Sequence, residues 1–243
     1  MKHGIFITGT DTAVGKTLVT AALARSLATR GFDIGVMKPV ETGVVRGYPS
    51  DAERLSRAAQ VSDSLDLVRP YAFRLPVAPL DAARAERRTI KMSTIVRAYQ
   101  QLHARHDLLL VEGAGGVRVP ITSRIDVLDL IEKLNIPVLV VGQAGLGGVN
   151  HAMLTLDALR ERRIPVLALV LNRACPAKMT IEKRQECSTL ELLKESAGVP
   201  VIGPLPYMTG VDARFARAVE AMAENGEIKK LTKLVLASVR GTR

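Results

Sequence analysis

The stretch Gly9-Thr10-Asp11-Thr12-Ala13-Val14-Gly15-Lys16-Thr17 gathers residue types that handle phosphate, between an apolar strand and an apolar-periodic helix. In that context backbone N–H groups at the helix start point at an anion, and the helix dipole favours its charge. Lys16 supplies a cation, and the Thr17 hydroxyl can ligate magnesium. The common loop places four residues between its glycines, whereas Thr10 to Val14 places five here. Read strictly, Thr10 takes the first glycine position.

Other residues fall at the ends of apolar runs. Lys38-Pro39-Val40-Glu41-Thr42-Gly43 ends a second strand, which brings Lys38 to the same sheet edge as Lys16. A second lysine there can neutralise charge spreading over phosphoryl oxygens during transfer. Leu108 to Val111 leads into Glu112-Gly113-Ala114-Gly115-Gly116, a carboxylate at a strand exit beside glycines that let a ligand approach the backbone. Glu112 is therefore the first metal candidate. Asp51, in Ser50-Asp51-Ala52, suits a helix N-cap or its first-turn neighbour equally. Asn172-Arg173 follows Val166 to Leu171, and Gly203-Pro204-Leu205-Pro206 follows Val199 to Ile202. An amide can pair with a base edge, and a proline-rich turn offers an apolar wall. Gly145 to Asn150 precedes a helical run; its glycines either cap that helix or expose its N–H groups to an anion.

These residues need a frame that places strand ends side by side. Short apolar runs at Gly4 to Thr8, Ile34 to Lys38, Leu108 to Glu112, Pro137 to Val141, Val166 to Leu171 and Val199 to Ile202 suit buried parallel strands. Between them, Thr17 to Arg30, Met92 to Arg105, Val127 to Leu134, Val149 to Arg162 and Ile181 to Ser196 have helical patterning. The alternation predicts an α/β fold: a doubly wound, mostly parallel sheet flanked by helices, with ligands beyond the carboxyl ends of the strands. Tyr48 to Arg88, broken by prolines 70, 76 and 79, reads as an excursion over the sheet, and the charged tail from Asp212 as one or two closing helices with 240–243 frayed.

With 243 residues and 47% hydrophobic content, one domain spanning 1–243 is expected. No stretch approaches the ~20 apolar residues of a membrane span, and no signal-peptide core precedes the glycine loop, so a cytoplasmic protein without membrane attachment is expected. The net charge of +10 would suit nucleic acid, but 3% aromatic content and the lack of a reading motif argue against it; anionic nucleotides and carboxylates suffice as partners. Cys175 and Cys187 lack metal or redox spacing and read as free, packed thiols. Scattered histidines at 3, 103, 106 and 151 predict no transition metal.

Taken together, GTDTAVGKT, KPVETG, SDA, VEGAGG, LGGVNHAM, LNR and GPLP resemble, in the same order, the motifs of the dethiobiotin synthetases, and the resemblance runs from residue 4 to about residue 207. The five-residue glycine spacing is itself similar to that family's loop. The resemblance implies a P-loop ligase that uses ATP and Mg2+ to join CO2 to 7,8-diaminopelargonate and close a ureido ring. It implies that Lys16 and Lys38 are catalytic, and that Thr17, Asp51 and Glu112 hold the metal. Thr12, Ala13, Val14, Gly15, Lys16, Thr17 and Leu18 would bind the nucleotide with Asp51, Glu112, Gly113, Ala114 and Gly115; Asn172, Arg173 and Pro204 would meet its base. Ala13 stands where many relatives carry an acidic residue, so only its backbone serves there. Thr12, Lys38, Thr42 and Gly116 would contact the diamine end. Leu146, Gly147 and Asn150 would hold the substrate carboxylate from a neighbouring subunit, which implies a homodimer with shared sites. The alternative is a regulatory P-loop ATPase of the partitioning type; those usually carry a second lysine near the loop start and Asp where Glu112 stands.

Overall fold

The computed structural model describes residues 3–176 and 179–240, with the Arg240 side chain excepted. In chain order it runs β1 (His3–Gly9), α1 (Lys16–Ala28), β2 (Ile34–Met37), β3 (Val40–Glu41), α2 (Asp51–Ala59), α3 (Leu65–Val68), β4 (Tyr71–Ala72), α4 (Pro79–Ala85) and α5 (Met92–Arg105). Then follow β5 (Leu108–Gly116), α6 (Val127–Leu134), β6 (Val138–Gln143), α7 (Gly148–Glu161), β7 (Val166–Asn172), α8 (Thr180–Ser196), β8 (Val201–Leu205), α9 (Phe215–Ala223) and α10 (Gly226–Arg240).

A six-stranded parallel sheet ordered β2-β5-β1-β6-β7-β8 forms the centre, which is the doubly wound α/β arrangement that the sequence predicts. Its strands are apolar on both faces because helices cover both, and successive side chains enter opposite cores. Phe6, Leu109, Val111 and Val140 pack with α5, α6 and α7 on one side. Ile5, Ile7, Leu110 and Val141 pack with α1, α2, α9 and α10 on the other. α1 is buried nearly all round, from Leu18 to Leu27, because α2, α9 and α10 surround it.

The segment 48–88 is more ordered than its prolines suggest. α2, α3 and α4 form there, and β3 pairs in parallel with β4 in a separate two-stranded ribbon. Pro79 opens α4, where a missing N–H costs nothing. Three sequence expectations need correction. β5 does not end at Glu112 but continues through its glycines to Gly116, and Gly203-Pro204-Leu205 is strand β8, not a turn. The two cysteines are free but exposed rather than packed: the buried stripe of α8 runs through Glu186, Thr189 and Leu193, which turns Cys187 outward, and Cys175 lies in the loop before it. The tail forms α9 and α10 as expected; 241–243 and the Arg240 side chain, where fraying was expected, lie outside the described residues.

Candidate functional site

The carboxyl ends of β1, β5 and β7 open onto a cavity of about 940 Å³. Its floor is the loop from Gly9 to Thr17. Ala13 and Gly15 both adopt left-handed backbone, with φ of 59° and 94°. Gly15 is required twice over, since a Cβ there would also collide with the Asn172 amide. Nearby, Gly9 pairs with Gly116 after a register shift, and a Cβ on Gly116 would stand 3.2 Å from the Gly9 carbonyl. Glycine at 116 thus lets the strand hug the loop.

Lys16 folds back over the loop and its Nζ donates to the Asp11 carbonyl at 2.8 Å. Burial lowers its pKa to about 8; Glu112 opposes that shift and Lys38 adds to it. Across the floor, Lys38 Nζ donates to Glu112 Oε1 at 2.5 Å and to Asp51 Oδ2 at 2.9 Å. Thr17 Oγ1 donates to the same Glu112 oxygen at 2.9 Å. Burial by itself would depress Lys38, but the two carboxylates outweigh it and hold the ammonium above its ordinary range. Burial likewise opposes ionisation of Asp51, and the Lys38 charge overrides it, so Asp51 stays below its usual value. The residues chosen for catalysis and for metal from three distant parts of the sequence therefore form one ionic cluster.

Glu112 lies fully buried beneath the cavity, and its Oε2 is a buried acceptor with no hydrogen-bond partner among the described residues. Together with the Thr17 hydroxyl and Asp51 it offers a set of hard oxygen donors, which fits magnesium. No group of three or more His, Cys, Asp or Glu that could hold a metal occurs among the described residues. Two carboxylates and one hydroxyl fall short of that number, but magnesium in phosphoryl-transfer sites completes its shell with water and phosphate.

Thr12, Ala13, Gly15, Lys16, Thr17 and Leu18 line the cavity, as do Lys38, Thr42, Asp51, Ala114, Gly115, Asn172 and Arg173. Asn172 is buried; its Nδ2 donates to the Val14 carbonyl at 3.0 Å, while its Oδ1 has no partner among the described residues. Arg173 is turned toward α8, its Nε bound to both Glu186 oxygens at 3.0 and 2.8 Å. Other expected residues lie off the cavity wall. Val14 is buried under the loop, Gly113 packs on the Phe6 ring, and Pro204 stays within β8 while Tyr207 and Met208 form the wall near it. Leu146, Gly147 and Asn150 are exposed at the start of α7, outside this cavity. There Gly147 is the left-handed N-cap of the helix, and the first turn carries no acidic residue.

Glu41 is a cavity residue that the sequence reading passed over. Its carboxylate accepts from the Asp51 N–H at 2.5 Å, the Ala52 N–H at 3.3 Å and Arg69 Nη1 at 3.1 Å. The one signal for it was an acidic residue embedded in the apolar turn after Lys38. Arg54, on α2, also lines the cavity; it lies 4.8 Å over the Phe215 ring and pairs with Asp212 at 3.2 Å, tying α2 to the segment before α9.

A family model described as an AAA domain matches residues 3–214. Solved structures of similar fold include a ParA family ATPase from Chlorobium tepidum TLS, with a TM-score of 0.56 and 13% identity over 97% of this chain and 98% of that one. Another is the cobyrinic acid a,c-diamide synthase from Mycobacterium smegmatis, solved with bound ADP and magnesium, with a TM-score of 0.54 and 15% identity over 100% of this chain and 97% of that one. At such identities they show the fold alone. The ATP-dependent dethiobiotin synthetase of Anaeromyxobacter dehalogenans is 50% identical over 174 residues, 72% of this chain and 78% of that protein. Its counterpart in Thermodesulfovibrio yellowstonii is 39% identical over 245 residues, 96% of this chain and 100% of that protein. Identity of 39–50% over 72–96% of this chain, on a P-loop fold whose lysines and carboxylates converge, means that the chain belongs to the family of ATP-dependent dethiobiotin synthetases.

Proposed function

We propose that residues 1–243 act as one P-loop domain that carries out the family's reaction, an ATP-dependent carbon–nitrogen ligation in biotin biosynthesis. An amine of 7,8-diaminopelargonate attacks CO2 and loses a proton to give a carbamate. A carbamate oxygen then takes the γ-phosphoryl group of ATP and ADP leaves. The second amine attacks the carbonyl carbon of that mixed anhydride, the bond from carbon to phosphate oxygen breaks with its electron pair going to phosphate, and loss of a proton leaves the ureido ring. Every step handles negative charge on oxygen. The observation that carries the reading is the convergence of the Lys16 and Lys38 ammonium groups at the phosphate loop, beside Thr42 and a cavity large enough for two substrates.

In this reading Lys16 exchanges the Asp11 carbonyl for phosphate oxygen, and Lys38 neutralises the carbamate and the phosphoryl group in transit. Thr12 and Thr42 orient the diamine. Thr17, Asp51 and Glu112 would hold magnesium, which would supply positive charge against the phosphate oxygens. Asn172 gives one Nδ2 hydrogen to the Val14 carbonyl and keeps a buried Oδ1 acceptor without a partner among the described residues, which could take a base N–H; the choice of ATP comes from the family. The exposed start of α7, with Leu146 at 76% and Leu154 at 62% exposure, suits a symmetric homodimer in which this helix start serves the neighbour's substrate carboxylate. The protein is expected to act in the cytoplasm without nucleic acid or membrane partners, and no helix among the described residues is long and apolar enough to cross a membrane.

The test is ATP hydrolysis and dethiobiotin formation, each measured with and without diaminopelargonate and bicarbonate. We expect ADP release to depend on both, to match product one for one, and to stop when divalent cations are chelated. Hydrolysis indifferent to both substrates would mark a switch ATPase instead.

A further inference from the structure

Helix starts leave four backbone N–H groups without helical partners, and at α2 every one of them is accounted for. Ser50 N–H donates to Glu53 Oε2 at 2.8 Å, and Glu53 N–H to Ser50 Oγ at 3.3 Å, which is a capping box. The other two, on Asp51 and Ala52, go to Glu41. Glu41 is thus a carboxylate from a different strand, placed where the helix dipole favours negative charge.

Its own position is fixed from three sides. Its carbonyl accepts from Phe73 N–H at 2.9 Å, so the ribbon of β3 and β4 holds the backbone. Its side chain is buried against Arg69, which offsets the charge. Along the chain it stands next to Thr42 and three residues after Lys38. The two ends it joins are therefore the loop that carries Lys38 and the turn that carries Asp51, whose side chains meet at 2.9 Å.

We propose that Glu41 is a positioning residue for ligation: it fixes the first turn of α2 against the Lys38 loop and thereby sets the Asp51 carboxylate in the working cluster. Ser50 and Glu53 cap the helix from within its own chain segment, whereas Glu41 reaches in from the Lys38 loop and binds the N–H of Asp51 itself.

The proposal rests on the reading that Asp51 works in the site, and one set of variants tests the two separately. Glu41→Gln keeps the size but sets an amide NH2 against the donors that the carboxylate accepts. We expect kcat to fall by roughly ten- to a hundredfold, the scale of a displaced catalytic group, with little change in KM for ATP. Asp51→Asn alone should also lose kcat, and adding Glu41→Gln to it should cost nothing more, because residues that act through one another are not additive. Ser50→Ala removes the other cap of the same helix; it should lower the thermal midpoint and leave kcat in place. Should Glu41→Gln not fold, Arg69→Gln takes its part, with a smaller loss of kcat that must also vanish in the Asp51→Asn background. Losses that multiply in the double variant, or a Ser50→Ala protein that loses kcat as Glu41→Gln does, overturn the proposal. A fully active Asp51→Asn enzyme overturns the underlying reading and this one with it.

Discussion

The two lysines of the site are held in unlike ways, and that difference decides what each can contribute. Lys16 has a main-chain carbonyl as its partner, and burial has drawn its pKa down to about 8. A phosphate oxygen is a better partner on both counts, so nucleotide binding should recruit it. Lys38 is clamped between Glu112 and Asp51, and pulling it away would strand a fully buried carboxylate. It therefore stays in place and offers its charge to whatever arrives. We expect Lys16→Ala to lose both nucleotide affinity and turnover, and Lys38→Ala to lose turnover by ~10² to 10³ while sparing affinity more. Equilibrium nucleotide binding and product formation at saturating substrate measure the two effects; near-full product formation by Lys38→Ala would refute its role. Lys16, Lys38 and Glu112 were legible in the sequence because each sits in a contiguous motif whose residue types name the chemistry. Glu41 was not, because its partners are backbone N–H groups of a helix ten residues on, and no residue type advertises those.

At the scale of elements, legibility followed the contrast between apolar and polar faces. α5 and α6 match their expected bounds because leucine and isoleucine mark their buried sides. Of α2 only the start was legible, Asp51 being the first-turn neighbour of the Ser50 N-cap; its extent was not, because its buried face is Ala52, Leu55, Ala58 and Ala59, mostly alanine, which gives little contrast. A neighbouring joint is also invisible in sequence. Asp63, between α2 and α3, accepts from Arg105 at 2.9 Å and meets His106 Nε2 at 2.7 Å, while Asp33 meets the Nδ1 of the same ring at 2.7 Å. Burial works against ionisation of Asp63, but its bonds to His106 and Arg105 win and lower its pKa. A carboxylate with a depressed folded pKa contributes stability that is present above the unfolded value, about 3.9, and lost as pH falls through the folded one. Asp63→Asn should therefore cost ~1–2 kcal/mol at neutral pH, about 2–8 °C in a chain of this size. Thermal melts at descending pH should show the two proteins converging in acid; a constant gap would mean that the charge is not what matters.

At the scale of the whole molecule, the sheet explains why remote motifs meet. Lys38 follows β2, Glu112 lies in β5, the phosphate loop follows β1 and Asn172 ends β7, and parallel strands bring all these carboxyl ends to one edge. The start of α7 is different: Leu146, Gly147 and Asn150 lie outside the cavity that the other motifs share. In the proposed shared-site dimer their work is done for a second copy. Mixing two defective proteins tests this. Lys16→Ala spoils the phosphate side of a site, and Gly147→Asp places a negative charge where the substrate carboxylate would dock, at a left-handed position that tolerates aspartate better than most residues. In a shared-site dimer, one site of each mixed pair draws the intact loop from one chain and the intact helix start from the other, while the second site carries both defects. Random exchange of equal amounts makes half the dimers mixed, so about a quarter of wild-type sites should return. Native mass spectrometry confirms the exchange, and dethiobiotin formation counts the sites. Two folded variants that demonstrably exchange subunits and recover no activity would show that each chain completes its site alone.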